Sequence, residues 1–105
     1  MKTIRLLNLE NYCVDLSREW VRYMKEAEVQ MDIRKTIGPN ADNSITIYYP
    51  NDHAPTAVHR INDLISEILD MWNEPILDGI YMRINSLKED ETIIWDNNIC
   101  NFIEE

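Results

Sequence analysis

The chain has 105 residues, 45% hydrophobic and 28% charged, with 2 glycines and 4 prolines, a balance that suits one folded domain and excludes collagen-like, low-complexity and disordered chains. Ten Lys and Arg against 19 Asp and Glu leave a formal charge of −9, which argues against direct binding to a phosphate backbone. No apolar run approaches the ~18 residues of a membrane span, and Met1 to Asn8 is too polar for a signal peptide; a soluble cytoplasmic protein is expected.

Lys2 to Leu9 (KTIRLLNL) reads as a first strand, with Ile4, Leu6 and Leu7 giving imperfect alternation. Asp15 or Ser17 can then cap a helix, because each side-chain oxygen accepts a free N–H of the first turn. Trp20, Met24, Ala27 and Met31 follow at steps of 4, 3 and 4, the spacing of one helical face. From Val29 the pattern changes: Val29, Met31 and Ile33 alternate with Gln30, Asp32 and Arg34, the period of a strand. The densest turn signal, Gly38-Pro39-Asn40-Ala41-Asp42-Asn43, precedes the β-branched and aromatic run Ser44 to Tyr49. Residues 29–37 and 44–49 are therefore expected to form a hairpin with a long loop; the competing reading is one helix over 17–37 ended by Gly38.

Asn51 to His53 followed by Pro55 reads as a helix start, since proline is tolerated in a first turn. Val58, Ile61, Ile65, Ile68 and Trp72 repeat at 3, 4, 3 and 4, and the helix is expected to stop before Pro75. Asp78-Gly79 reads as a turn, and Ile80, Met82 and Ile84 as the buried side of a strand. After the charged loop Lys88 to Glu91, Thr92 to Trp95 forms another strand. Asp96-Asn97-Asn98 suits a tight turn, and Ile99 to Ile103 is a last short strand or the end of the previous one. The expected fold is a single α+β domain over residues 1–105 in the order β-α-β-β-α-β-β. Its sheet is antiparallel or mixed, with two helices packed on one face. Tyr48, Tyr49, Tyr81 and Trp95 are candidates to line the other face.

Charge is the most informative feature. Residues 1–37 carry a net of +1, and residues 38–105 carry thirteen acids against Arg60, Arg83 and Lys88, a net of −10. Such a one-signed field costs self-repulsion and steers the chain toward basic partners. On the long helix Asp63, Glu67, Asp70 and Glu74 step by 4, 3 and 4, forming one column without interleaved lysines. A rigid row of carboxylates at that spacing matches a site shaped for a nucleic-acid backbone. Asp78, Glu89, Asp90, Glu91 and Asp96 extend the negative field if the C-terminal strands lie beside the helix. Arg18, Arg22 and Lys25 form a smaller basic stripe on the first helix, interrupted by Glu19, Glu26 and Glu28.

Catalytic patterns are weak. Two glycines do not build a phosphate loop. His53 and His59, with Cys13 and Cys100, lack any Cys-x-x-Cys or His-x-x-x-His spacing, so no metal or cofactor is expected. The pair Asp52-His53 reads as helix capping rather than a base with its orienting acid. Three functional classes are expected from these residues. The first is a small non-catalytic acidic inhibitor that occupies the basic groove of a nucleic-acid-acting protein. Its preferred setting is phage or mobile-element counter-defence of the anti-CRISPR or anti-restriction type, with the alternative of an immunity protein against a nuclease toxin. Its contact residues are Asp63, Glu67, Asp70, Glu74 and Asp78, then Glu89, Asp90, Glu91 and Asp96, and it binds neither nucleic acid nor membrane. The second is a homodimeric assembly module that uses a strand edge or the open sheet face. The third is an enzyme working through a carboxylate pair.

Overall fold

A computed structural model describes residues 1–39, 42–71 and 74–103. Five strands form one mixed sheet in the order β2-β3-β1-β4-β5: β1 (Lys2–Leu9), β2 (Gln30–Arg34), β3 (Asn43–Tyr49), β4 (Thr92–Asp96) and β5 (Asn101–Ile103). Three α-helices join them: α1 (Arg18–Glu26), α2 (Pro55–Leu69) and α3 (Pro75–Asn85), with a short 3-10 turn at Asn11–Val14 ahead of α1. β1 is central, antiparallel to β3 and parallel to β4. The domain is α+β, as the patterning implies.

The period of two sets the core. Ile47, Ile4 and Ile93 lie opposite one another across β3, β1 and β4, and Ile45, Leu6 and Trp95 form the next row. All six are buried in one core with Met24 of α1, Ile61, Leu64, Ile65 and Ile68 of α2, and Leu77, Ile80 and Ile84 of α3. The alternate residues Thr3, Arg5, Thr46, Tyr48, Thr92 and Ile94 belong to the other face, and Ile94 is buried apart from that core. Of the four aromatics expected on the open face only Tyr48 is there. Tyr49 and Trp95 have the parity of the core, where burial pushes the Tyr49 phenol up to about 12.

Residues 29–37 and 44–49 do form a hairpin, β2 with β3. α1 ends because Glu28 adopts φ 61, a left-handed residue that breaks the helix before Val29 turns into the sheet. The long-helix reading of 17–37 is excluded.

The expected strand over Ile80 to Ile84 is instead the body of α3, and Gly79 lies inside that helix. Leu77, Ile80, Ile84 and Leu87 are buried at helical steps of 3, 4 and 3, while Met82 is 71% exposed. A strand would have had to bury Met82 beside Ile80. Pro75 at the start, Asp78 in the first turn and Arg83 in the last complete the helix chemistry. The fifth strand is 101–103.

α2 stops at Leu69, one turn short of the expected end. Asp70 takes the left-handed conformation (φ 51, ψ 42), and the Met71 N–H bonds the Ser66 carbonyl at 3.2 Å, closing the end. Trp72, expected on the helix face, lies outside the described residues. At the other end the cap position is Ala54, without a side-chain cap. His53 instead bonds the Pro50 carbonyl through Nδ1 at 3.3 Å and sets its ring edge-on to Tyr49. α2 and α3 are tied by the Tyr81 hydroxyl, which bonds Ser66 and donates to the Asn62 carbonyl.

Candidate functional site: an acidic aromatic groove between α1 and α2

α1 is amphipathic and short. The Ser17 hydroxyl accepts the Trp20 N–H at 3.3 Å, so the first turn is capped, and Lys25 sits in the last turn. Met24 goes fully into the core. Trp20 and Tyr23, three residues apart, stay on the flank that faces α2 and meet edge to face, centroids 5.8 Å apart. Arg60 of α2 fixes this flank. Its guanidinium lies 4.0 Å from the centre of the Tyr23 ring, donates to the Tyr23 carbonyl at 2.7 Å and reaches Glu26 at 3.9 Å.

An open hollow of ≈ 440 Å³ lies along this flank, lined by Ser17, Glu19, Trp20, Arg22, Tyr23 and Glu26 of α1 and its cap and by Asp63 of α2. A second hollow, lined by Tyr12, Leu16, Ser17, Trp20 and Glu67 among others, shares Ser17 and Trp20 with it. The two hollows adjoin at Ser17 and Trp20, with Tyr23 lining the first and Tyr12 the second. Three aromatics punctuate them, Tyr12 being 67% exposed. Asp63 and Glu67, one helical turn apart on α2, supply carboxylates along one wall. The Tyr12 phenol is held above its ordinary value by the adjacent Cys13 first, with smaller contributions from the Glu10 and Asp70 carboxylates. The buried Cys13 thiol is also raised, chiefly by its burial, with the same two acids contributing.

The structure corrects the shape of the acidic column. Asp63 and Glu67 share the face of α2, Asp70 is its left-handed cap, and Glu74 is the residue before α3, so the four do not form a row on one helix. Glu67, Asp70, Glu74 and Asp78 are exposed and make no ion pair among the described residues; Asp63 lies 3.5 Å from His59 Nε2.

Most of the C-terminal acids are differently placed. Glu91 is gripped by Arg83 (2.8 and 3.4 Å) and by the Lys88 N–H at 2.9 Å; these bonds hold its carboxyl down to about 2. Asp90 accepts from the N-terminal ammonium at 2.7 Å and from Asn51 at 3.1 Å, which lower it too. Asp96 accepts from Asn8 Nδ2 at 2.8 Å and the Asn98 N–H at 2.9 Å. Only Glu89 of this group is exposed without a partner among the described residues.

The groove aromatics escaped the sequence pattern. Trp20 fits the core face of α1, and Tyr12 lies in what reads as a connector. The one available signal is the Trp20/Tyr23 pair, whose spacing of three puts both rings on one flank. Cys13 and Cys100 are free, one buried and one exposed, and the described residues hold no group of three His, Cys, Asp or Glu able to bind a metal ion. No protein-family model, curated protein or solved structure matches the chain.

Proposed function

We propose that this protein is a small non-catalytic inhibitor that binds a basic nucleic-acid-acting protein through the α1–α2 groove. The observation that carries this reading is the groove itself: the exposed rings of Tyr12 and Tyr23 and the half-buried Trp20 lie beside carboxylates of which Glu19 and Glu67 make no ion pair among the described residues, while Glu26, Asp15 and Asp63 face Arg60, Lys35 and His59. Aromatic anchors supply contact energy, and the surrounding acids supply steering and selectivity. Lysine or arginine side chains of the partner lie against Tyr12, Trp20 and Tyr23 and pair with Asp63, Glu67 and Asp70, displacing the nucleic acid those cations otherwise hold. Glu74 and Asp78 continue the negative field at the start of α3. The preferred setting is phage or mobile-element counter-defence in the bacterial cytoplasm, with toxin immunity as the alternative; no helix among the described residues is long and apolar enough to cross a membrane.

Tagged protein as bait in host lysate tests the reading. The expected result is capture of a basic nuclease or nucleic-acid-binding effector that weakens from low to moderate salt and is displaced by added duplex DNA. A partner that stays bound while DNA occupies its groove removes the mimicry. Direct binding of the bait to a labelled duplex at physiological salt removes the whole reading.

A further inference from the structure

β2 ends the sheet, so one side of Gln30–Arg34 presents backbone N–H and C=O groups with no neighbouring strand. This edge is guarded only by its charges, Asp32, Arg34 and the following Lys35, which mix in sign and so can be matched by a partner; it has no proline, and Ile33 is 36% exposed on it. A groove of ≈ 760 Å³ runs along it between α1 and the strand, with Val21, Val29, Met31 and Ile33 in its walls and the opposite charges of Lys25 and Glu28 beside them. The surrounding region is also the electrically neutral part of the molecule, because residues 1–37 sum to +1 while the rest carries −10. A second copy can therefore approach here against little repulsion.

We propose that β2 pairs antiparallel with β2 of a second copy about a twofold axis at Ile33, joining the two sheets into one. Residues directly opposite across an antiparallel pair project to the same face. A twofold register must then set some residue opposite itself, and the strand offers three such centres. Centring on Asp32 puts two carboxylates face to face. Centring on Met31 sets Gln30 opposite Asp32 and leaves Arg34 opposite Glu28, which lies before the strand where φ 61 turns the backbone out of the ladder. Centring on Ile33 sets Asp32 opposite Arg34 of the partner subunit, and the reciprocal pair repeats it. Opposite charges directly across a ladder stabilise it, and like charges oppose it. In the single chain Asp32 and Arg34 already sit 3.5 Å apart on one side of the strand, so the dimer exchanges two such pairs, one in each copy, for two across the seam. Ile33 has the parity of Ile45, the helix-covered side, so the two Ile33 side chains meet where the two grooves join.

This inference is independent of the α1–α2 groove and is read by a different signal. Sedimentation of the full chain over a range of concentrations should show a reversible monomer–dimer equilibrium. Asp32→Arg and Arg34→Asp should each weaken it by about tenfold or more. The double variant D32R/R34D restores the opposite-charge pairs and should return the dimer toward its original strength. Circular dichroism checks that each variant is folded. In a Cys100→Ser background, Ile33→Cys should crosslink to itself on mild oxidation, and Gln30→Cys should not. A chain that stays monomeric at every concentration, a dimer indifferent to the single reversals, a double variant as weak as the singles, or crosslinking through position 30 in place of 33 would each overturn the proposal.

Discussion

Asp63, Glu67 and Asp70 on one side, and Asp90, Glu91 and Asp96 on the other, have the same formal charge and opposite physical situations. The second group is tied to an arginine, the N-terminal ammonium and two asparagines, and pins β4 and its flanking loops to β1, the end of β3 and α3. In the first group Glu67 and Asp70 are exposed without an ion pair among the described residues, and Asp63 faces only a histidine. Counting acids along the sequence weights both groups equally. The field that a partner meets is set by the group whose charge is not spent internally, and the internal group contributes to folding instead.

The sharpest way to separate them is to reverse one group at a time. Asp63→Lys, Glu67→Lys and Asp70→Lys together should abolish capture of the basic partner, lowering affinity by about 100-fold or more, because three attractions become repulsions. The folded state should survive, since the three side chains are not core residues. Pull-down and thermal unfolding of the same sample read both effects. Loss of the fold would place these acids with the structural group.

The second group should show itself in acid. The folded-state carboxyls of Glu91 and Asp90 lie below their ordinary values, so their stabilisation is complete above about pH 4.5 and drains away as pH falls toward 2. Glu91→Gln should lower stability at neutral pH and flatten the decline between about pH 4.5 and 2, in denaturant titrations repeated along that range. A variant curve parallel to the native one would mean that Glu91 is as free as Glu67. A smaller effect is expected at Asn8, which holds Asp96 from a left-handed backbone position (φ 56). Asn8→Gly keeps that backbone without strain and removes only the side-chain bond, so it should cost about 1 kcal/mol.

This contrast was only partly legible in the sequence. Alternation and helical spacing report which residues face a core, and β1, the β2–β3 hairpin and α2 follow from them. α3 was misread because Ile80, Met82 and Ile84 fit both periods, and Asp78-Gly79 imitates a turn. Extending the window to Leu77 and Leu87 gives the 3, 4, 3 spacing that only a helix satisfies. The Asp70 stop had weaker warning, since aspartate visits the left-handed region only occasionally. Apart from the local Lys88 and Asn98 N–H groups, the partners of Glu91, Asp90 and Asp96 lie 8 to 89 positions away and meet them only through the sheet and α3. Hydropathy periods carry no information about such pairings, so the spent and unspent acids looked alike. The groove was hidden for the same reason: its rings and carboxylates come from separate segments brought together by packing.

Asp70 offers the finest test, because it is the one acid with both roles. Its left-handed backbone ends α2, which a glycine would do at lower cost, and its exposed carboxylate adds a small share to the negative field at Tyr12. Asp70→Gly should raise stability by about 0.5 kcal/mol while weakening capture of the basic partner several-fold. The two readouts then move in opposite directions, which neither a purely structural acid nor an unfolded variant can produce. Glu67→Gln, on regular helix, should weaken capture without the gain in stability. If Asp70→Gly is more stable and binds unchanged, the useful field ends at Glu67.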